Sequence, residues 1–156
     1  MKHVYLAPCD SPDFDESVRA DVELDGSSEI PEPLAGEGTV RFWGAASGSR
    51  NESNFERLEA GDLVLFYSDG EYVSTAWVES TFEDEAEWAS STVWTDKESS
   101  LLYTLTDVEE ISVPREKVNT IFGYTGSYSP AGLMRVNPDN VDVQPASIKL
   151  ALQRIS

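Results

Sequence analysis

The sequence predicts an α+β domain built on a curved sheet or small β-barrel with short flanking helices. Three observations predict it. Six or so short stretches of strand-like apolar pattern recur along the chain. Short helix signals are interspersed among them instead of being gathered in one half. And 156 residues, 40% hydrophobic and 10% aromatic, suffice for one core but not comfortably for two. The chain is therefore read as a single domain over 1–156, without internal repeats.

The elements follow in order. "HVYLA" (3–7) reads as a first strand. Residues 10–37 are polar, acidic and rich in Pro and Gly, and read as a loop or insertion with one short helix near "PDFDESV". "TVRFW" (39–43) is a strand and "GAASGS" a flexible loop. "NESNFERL" (51–58) is a short helix, with Asn51 at the N-cap and Glu52 near the positive helix end. "GDLVLFYS" (61–68) is a buried strand. Asp69-Gly70 is a tight hairpin signal, followed by the strand "EYVSTAWVES" (71–80). Residues 83–91 hold at most a helical turn. "SLLYTLTDVEEISV" (100–113) is a strand with a break near Asp107. Pro114 opens a helix that Gly123 stops. "GLMRV" (132–136) is a further strand. In the tail, Ile148, Ala151, Leu152 and Ile155 repeat at helical spacing and predict a closing helix over 145–155.

Asp and Glu number 29 against 11 Lys plus Arg, a formal net charge of -18. An acidic partner-binding surface or a nucleic-acid mimic is one account. Adaptation to high internal salt is the favoured one, because Lys is scarce and the acids are spread through the chain. At molar salt the Debye length falls to about 3 Å and self-repulsion is screened. On that reading the charge does not argue against a nucleic-acid partner. No apolar run approaches the roughly 18 residues that span a bilayer, so no membrane partner is expected. The N-terminus has no signal-peptide pattern, and the expected location is the cytoplasm. A lone cysteine, Cys9, excludes an intrachain disulfide and a multi-cysteine zinc site. No metal or cofactor constellation stands out. His3, the one histidine, lies in the first strand.

Against this acidic background, three segments contain no acid: 38–51, 117–138 and 143–156. The last is explained as a packed helix. The first two contain loop-like "GAASGS" and "GYTGSYSPAG", with Arg41, Arg50, Lys117 and Arg135 as candidate phosphate contacts. Such loops suit an anion or a partner that brings one; the bland account is burial. Aromatic residues accompany them: Trp43, Tyr124 and Tyr128. Stacking on bases is worth about 1–3 kcal/mol each and survives salt that weakens phosphate contacts.

The stretch "FWGAASGSRNESNFERLEAGDLVLFYS" resembles the EVE domains of the PUA-like superfamily, related to YTH domains. The likeness rests on Trp43-Gly44, Arg50-Asn51, Phe55, Gly61-Asp62 and Phe66-Tyr67-Ser68. The stretch "LLYTLTDVEEISVPREKVNTIFGYTGSYSPAGLMRV" is similar to EVE-like DNA-binding domains of modification-dependent restriction proteins. Together these cover about residues 3–8 and 39–143. Two departures stand out: "FYSDG" lacks the histidine common in the family, and "AASGS" separates Arg50-Asn51 from Trp43-Gly44.

The resemblance implies a PUA-like fold and a non-catalytic module that recognises a modified base by extruding it into an aromatic pocket. The ligand it implies is methylated DNA in preference to RNA, with a nuclease or NTPase partner in a restriction or defence system. Candidate pocket residues are Trp43, Asn51, Tyr67, Ser68, Trp94 and Tyr124. Rival readings are a reader of modified RNA, an acidic adaptor, and an ASCH-related hydrolase or RNase. The last needs a lysine and a general base in a cleft, and the lysines are read as poorly placed for it.

Overall fold

The computed structural model describes residues 2–24 and 29–156. Residues 25–28 of the expected 10–37 loop lie outside the described residues. The chain runs β1 (Val4–Pro8), α1 (Asp13–Ser17), β2 (Val22–Glu23), β3 (Thr39–Val40), β4 (Phe42–Ala45), α2 (Ser49–Arg57), β5 (Leu63–Ser68), β6 (Glu71–Glu83), β7 (Leu101–Pro114), α3 (Arg115–Phe122), β8 (Met134–Arg135) and α4 (Pro145–Ile155). Six strands form one sheet in the order β4-β7-β6-β5-β1-β8, and β2 pairs with β3 in a small second sheet. Strand β1 runs parallel to β5, and the other neighbours are antiparallel.

The sheet is buried on both faces at its centre, which is why "LVLFY" is a continuous apolar and aromatic run before the half-buried Ser68. In β5, Val64 and Phe66 enter one cluster, while Leu63, Leu65 and Tyr67 enter the other. Strand β1 divides the same way, Tyr5 and Ala7 against Val4 and Leu6. This is the period of two that a strand imposes. The first cluster lies under α1 and the 84–99 segment and is rich in aromatics: Phe14 meets Trp43 edge-on at 5.2 Å, and Phe42 packs on Trp88 and Trp94. The second is closed by α3 and α4 through Val118, Phe122, Ile148 and Leu152. Each such side chain contributes about 2–3 kcal/mol when fully buried.

Curvature comes from the long β6–β7 hairpin. Its register shifts between Tyr72 and Ser74, Thr75 and Trp77, and Val78 and Ser80. Asp107 stands at φ 53 opposite one of these shifts, so the expected break is a bulge within a continuous strand. The Asp69-Gly70 turn has positive φ at both residues (47 and 87), the twist that a two-residue hairpin needs. Gly123 ends α3 in the left-handed conformation at φ 75, and its N–H closes back on Thr120.

Two sequence expectations need correction here. The strand 39–43 is divided at Arg41 into β3, which pairs with β2, and β4, which pairs with β7. Helix α2 starts at Ser49, so Asn51 stands inside it and is not the N-cap. Glu52 reaches back instead, and its carboxylate accepts the Gly48 N–H at 2.9 Å.

Candidate nucleic-acid interface

The two acid-free loops meet. Asn51, on the first turns of α2, accepts the N–H of Leu133 at 3.1 Å and donates to the carbonyl of Ala46 at 2.9 Å. Asn54 donates to the carbonyl of Leu133 at 2.8 Å. A single side chain thus fastens the loop after β4 to the loop before β8. The approach is close: a Cβ on Gly132 would stand 2.5 Å from Asn51 Oδ1.

Between the joined loops lies a cavity of about 220 Å³. Its walls are mostly small: Ala7 and Pro8 at the end of β1, Gly44 to Ala46 at the end of β4, and Ala131 to Leu133. Its polar groups are Asn51, Lys97, Ser99 and Tyr103, with Glu98 at an exposed rim position. Tyr103 is fully buried, and its hydroxyl has no hydrogen-bond partner among the described residues. Burial pushes that phenol well above its ordinary range.

Lys97 reaches the cavity because its turn is clamped from below. Asp13, 1% exposed, accepts the backbone N–H groups of Thr95, Asp96 and Lys97 at 2.7–2.8 Å and the Thr95 hydroxyl at 3.0 Å. Desolvation works against the Asp13 carboxylate, but these donors prevail and hold it down at about 2. The Lys97 Nζ lies 4.2 Å from the centre of the Trp43 ring and 5.6 Å from that of Trp94. Burial pulls it down to about 8, against the opposing influence of Asp13 and Cys9.

The ten residues nominated from sequence do not converge on one site. Asn51 lines the cavity, but its amide is already engaged on both sides. Trp43, 1% exposed, lies directly behind Lys97, and its indole N–H donates to the Pro8 carbonyl. Trp94 is buried against Phe42 and donates to Ser17. Neither tryptophan presents an open ring face. Tyr67 and Tyr124 belong to the cluster on the opposite face of the sheet. The Tyr67 hydroxyl accepts from Gly70 N–H and from Arg115. Ser68 is bound to Asp10 at 2.5 Å. Of the basic residues, Arg41 is held by Asp21 at 2.9 Å, and Arg135 lies against His3 at 2.7 Å. Lys117 is exposed on α3. Arg50 is exposed at the head of α2, next to Asn51, and its charge reaches Tyr128, which stacks on Tyr124 with ring centres 4.7 Å apart.

Lys97, Tyr103 and the Ala131-Gly132 pair were missing from the sequence-level site. The expectation that no lysine stands in a cleft is corrected by Lys97. Nothing local in "WTDKESS" marks it, because the residue that clamps its turn, Asp13, lies far away in the chain. Among the described residues no cluster of three or more His, Cys, Asp or Glu could hold a metal ion, and no helix is long and apolar enough to cross a membrane.

No protein-family model and no curated protein sequence matches the chain. Solved structures are similar to it, and three of them follow. The N-terminal domain of McrB from Thermococcus gammatolerans, bound to m5C DNA, superposes with a TM-score of 0.71 at 15% identity, over 97% of this chain and 99% of that one. A protein of Agrobacterium tumefaciens gives 0.52 at 12% identity, over 98% and 92%. ASCH from Zymomonas mobilis gives 0.49 at 11%, over 96% and 94%. The curled six-stranded sheet, its short helices and the McrB likeness agree with the expectation from sequence: the chain has a PUA-like fold.

Proposed function

We propose that the chain binds nucleic acid carrying a modified base, DNA in preference to RNA, and takes that base, extruded from the helix, into the cavity beside Lys97. One observation carries the reading. In a chain of net charge -18, the two loop segments without acids fold against each other around one small cavity. The cavity is lined by small residues that leave room for a ring, and by a few polar side chains, Asn51, Lys97, Ser99 and Tyr103, that can orient one. Arg50 precedes Asn51 at the loop junction and its charge reaches Tyr128, which packs on Tyr124, so this side of the junction suits phosphate and sugar contacts. The McrB domain of the same fold is bound to m5C DNA, which supports DNA as the polymer and 5-methylcytosine as the first ligand to test. On this reading the chain is the specificity part of a restriction or defence system, and a nuclease or NTPase partner supplies the chemistry.

Hydrolysis by the chain itself is less well supported. A lysine is present in the cavity, but a general base must stand within hydrogen-bond reach of the proton it takes. Asp13 is closed off by five hydrogen bonds, and Glu98 is exposed at the rim.

The test is binding in molar KCl to matched duplexes that contain cytosine, 5-methylcytosine, 5-hydroxymethylcytosine or N6-methyladenine at one position, with RNA versions alongside. Preference for one modified DNA is the expected result. Equal binding to every duplex would overturn the reading. Preference for a modified RNA would move the function to RNA.

A further inference from the structure

Lys97 is treated unlike three other packed cations. Lys149, 9% exposed, faces Asp107 at 2.8 Å and Glu109 at 3.3 Å. Arg19 faces Asp15 and Glu110, and Arg41 faces Asp21, all within 2.9 Å. Lys97 has no ion-pair partner among the described residues, in a chain with 29 carboxylates to choose from. An ammonium partly removed from water and left unpaired is unfavourable on its own. It becomes favourable when a ligand brings acceptors to it.

The surroundings define what the ligand must offer. Below the ammonium is the face of Trp43, which supports a cation but accepts no conventional hydrogen bond. The same cavity is lined by Tyr103, whose hydroxyl is buried and unpartnered among the described residues. The charged or titratable groups around it are few. Asp13 beneath the turn is fully hydrogen-bonded, Cys9 is a buried thiol pushed up to about 12, and Glu98 sits at the exposed rim. From α2 and from the 131–133 loop, no charged side chain lines the cavity. A cavity of about 220 Å³ is also small. Sites for small molecules usually run to about 300–1,000 Å³, so a one-ring base suits this one better than a two-ring base.

We infer that Lys97 is a specificity-determining residue whose ammonium donates to the acceptor edge of an extruded cytosine-type base. An ammonium has three donors and no acceptor. Cytosine presents two adjacent acceptors, ring N3 and O2. Thymine presents N3–H, which sets a donor against a donor. The inference rests on the base-binding reading above and names the edge that the cavity selects. The depressed basicity of Lys97 adds a signature: as pH rises through about 8 the ammonium becomes a neutral amine, which loses the charge that strengthens its donation and gains a lone pair that repels the acceptor edge.

The experiment measures binding of the whole chain, in molar KCl at about pH 7 and about pH 9, to duplexes with 5-methylcytosine or thymine at one position. Wild type, Lys97→Met and Lys97→Arg are compared. Wild type is expected to favour 5-methylcytosine at about pH 7 and to lose about tenfold in affinity at the higher pH. Lys97→Met should show that loss already at neutral pH and no further change. Lys97→Arg should keep its affinity at the higher pH. Thermal unfolding keeps misfolding apart, since Lys97→Met removes an unpaired charge and should be at least as stable as wild type.

Three results would overturn the inference: unchanged preference in Lys97→Met, tighter binding by Lys97→Met, or a pH effect that persists in it. Tighter binding would mean that the ammonium only covers Trp43. Wild type that discriminates while Lys97→Met behaves identically rejects Lys97 alone. Wild type that discriminates between no duplexes rejects the base-binding reading and this inference with it.

Discussion

The two ends of the β4–β7 ladder carry two different hollows. At the Arg41 end is an open groove of about 580 Å³ flanked by Asp21, Glu37, Glu79 and Asp107. At the Gly44 end is the cavity beside Lys97, well under half that volume. Size favours the groove; chemistry favours the cavity. In the groove the polar groups answer one another: Arg41 is bound to Asp21 and to the Val18 carbonyl, and the Ser80 and Thr104 hydroxyls share a hydrogen bond at 2.7 Å. In the cavity an ammonium and a phenol remain unanswered. A ligand site is marked by polar groups that the fold positions and leaves unmatched, not by volume.

The sharpest way to break this comparison is to remove the clamp under Lys97. Asp13→Ala leaves three backbone N–H groups and the Thr95 hydroxyl without their acceptor in a partly buried turn. A loss of about 3 kcal/mol or more in urea-unfolding stability is expected, together with loss of base preference where the variant is still folded. The matching change in the groove, Asp21→Ala, removes one half-exposed ion pair and should cost less than about 1 kcal/mol. Equal costs would erase the distinction between a built turn and a solvated groove.

Much of this distinction was legible in the sequence, and part was not. The acid-free pattern pointed to both loops that form the cavity. Asp69-Gly70, and Pro114 with Gly123, marked their turn and helix because those signals are local. Two aromatic candidates lie away from the cavity lining for two different reasons. Tyr67 follows Phe66 in a strand, so the two must face opposite sides of the sheet; that parity could have been read in advance. Trp94 has polar neighbours and yet is buried, because Phe42 and Ser17 come to it from far along the chain. Lys97 was hidden by the same long-range logic, since Asp13 sets its place.

The junction of the loops gives the next effect. Gly132→Ala would place a methyl group 2.5 Å from Asn51 Oδ1, so the Asn51–Leu133 hydrogen bond must yield. About 1–2 kcal/mol of stability should be lost, with weaker DNA binding, and Asn51→Ala should reproduce both. Binding that survives both variants would separate the loop junction from the site.

Acid adds a smaller, graded test. His3 is held below its usual 6.5, by burial first and then by the Arg135 guanidinium. A depressed histidine binds its proton more readily in the unfolded chain. Its share of stability is therefore complete above about 6.5 and falls as pH drops below that value. Asp13 follows at lower pH: its share is present above 3.8 and is lost as pH falls towards about 2. Stability followed from neutral pH downward should fall first by the His3 share, which His3→Gln removes, and then by the Asp13 share. A first fall that persists in His3→Gln would assign it elsewhere.

The smallest expected effect is the most discriminating for the choice between the two hollows. Arg41 looked like a phosphate contact because it lies in an acid-free segment. Its guanidinium is instead taken by Asp21 and Val18 at the groove end of β4. A phosphate arriving there would meet Asp21, Glu37, Glu79 and Asp107 before it met a free cation. Arg41→Ala should therefore change DNA affinity less than about twofold, and stability by under about 1 kcal/mol. Arg50→Ala, beside the cavity, should weaken binding to all duplexes alike and lower the salt slope by about 1. If Arg41→Ala changed the slope and Arg50→Ala did not, the nucleic acid would have to cross the acidic groove. The unmatched groups around Lys97 would then need another ligand.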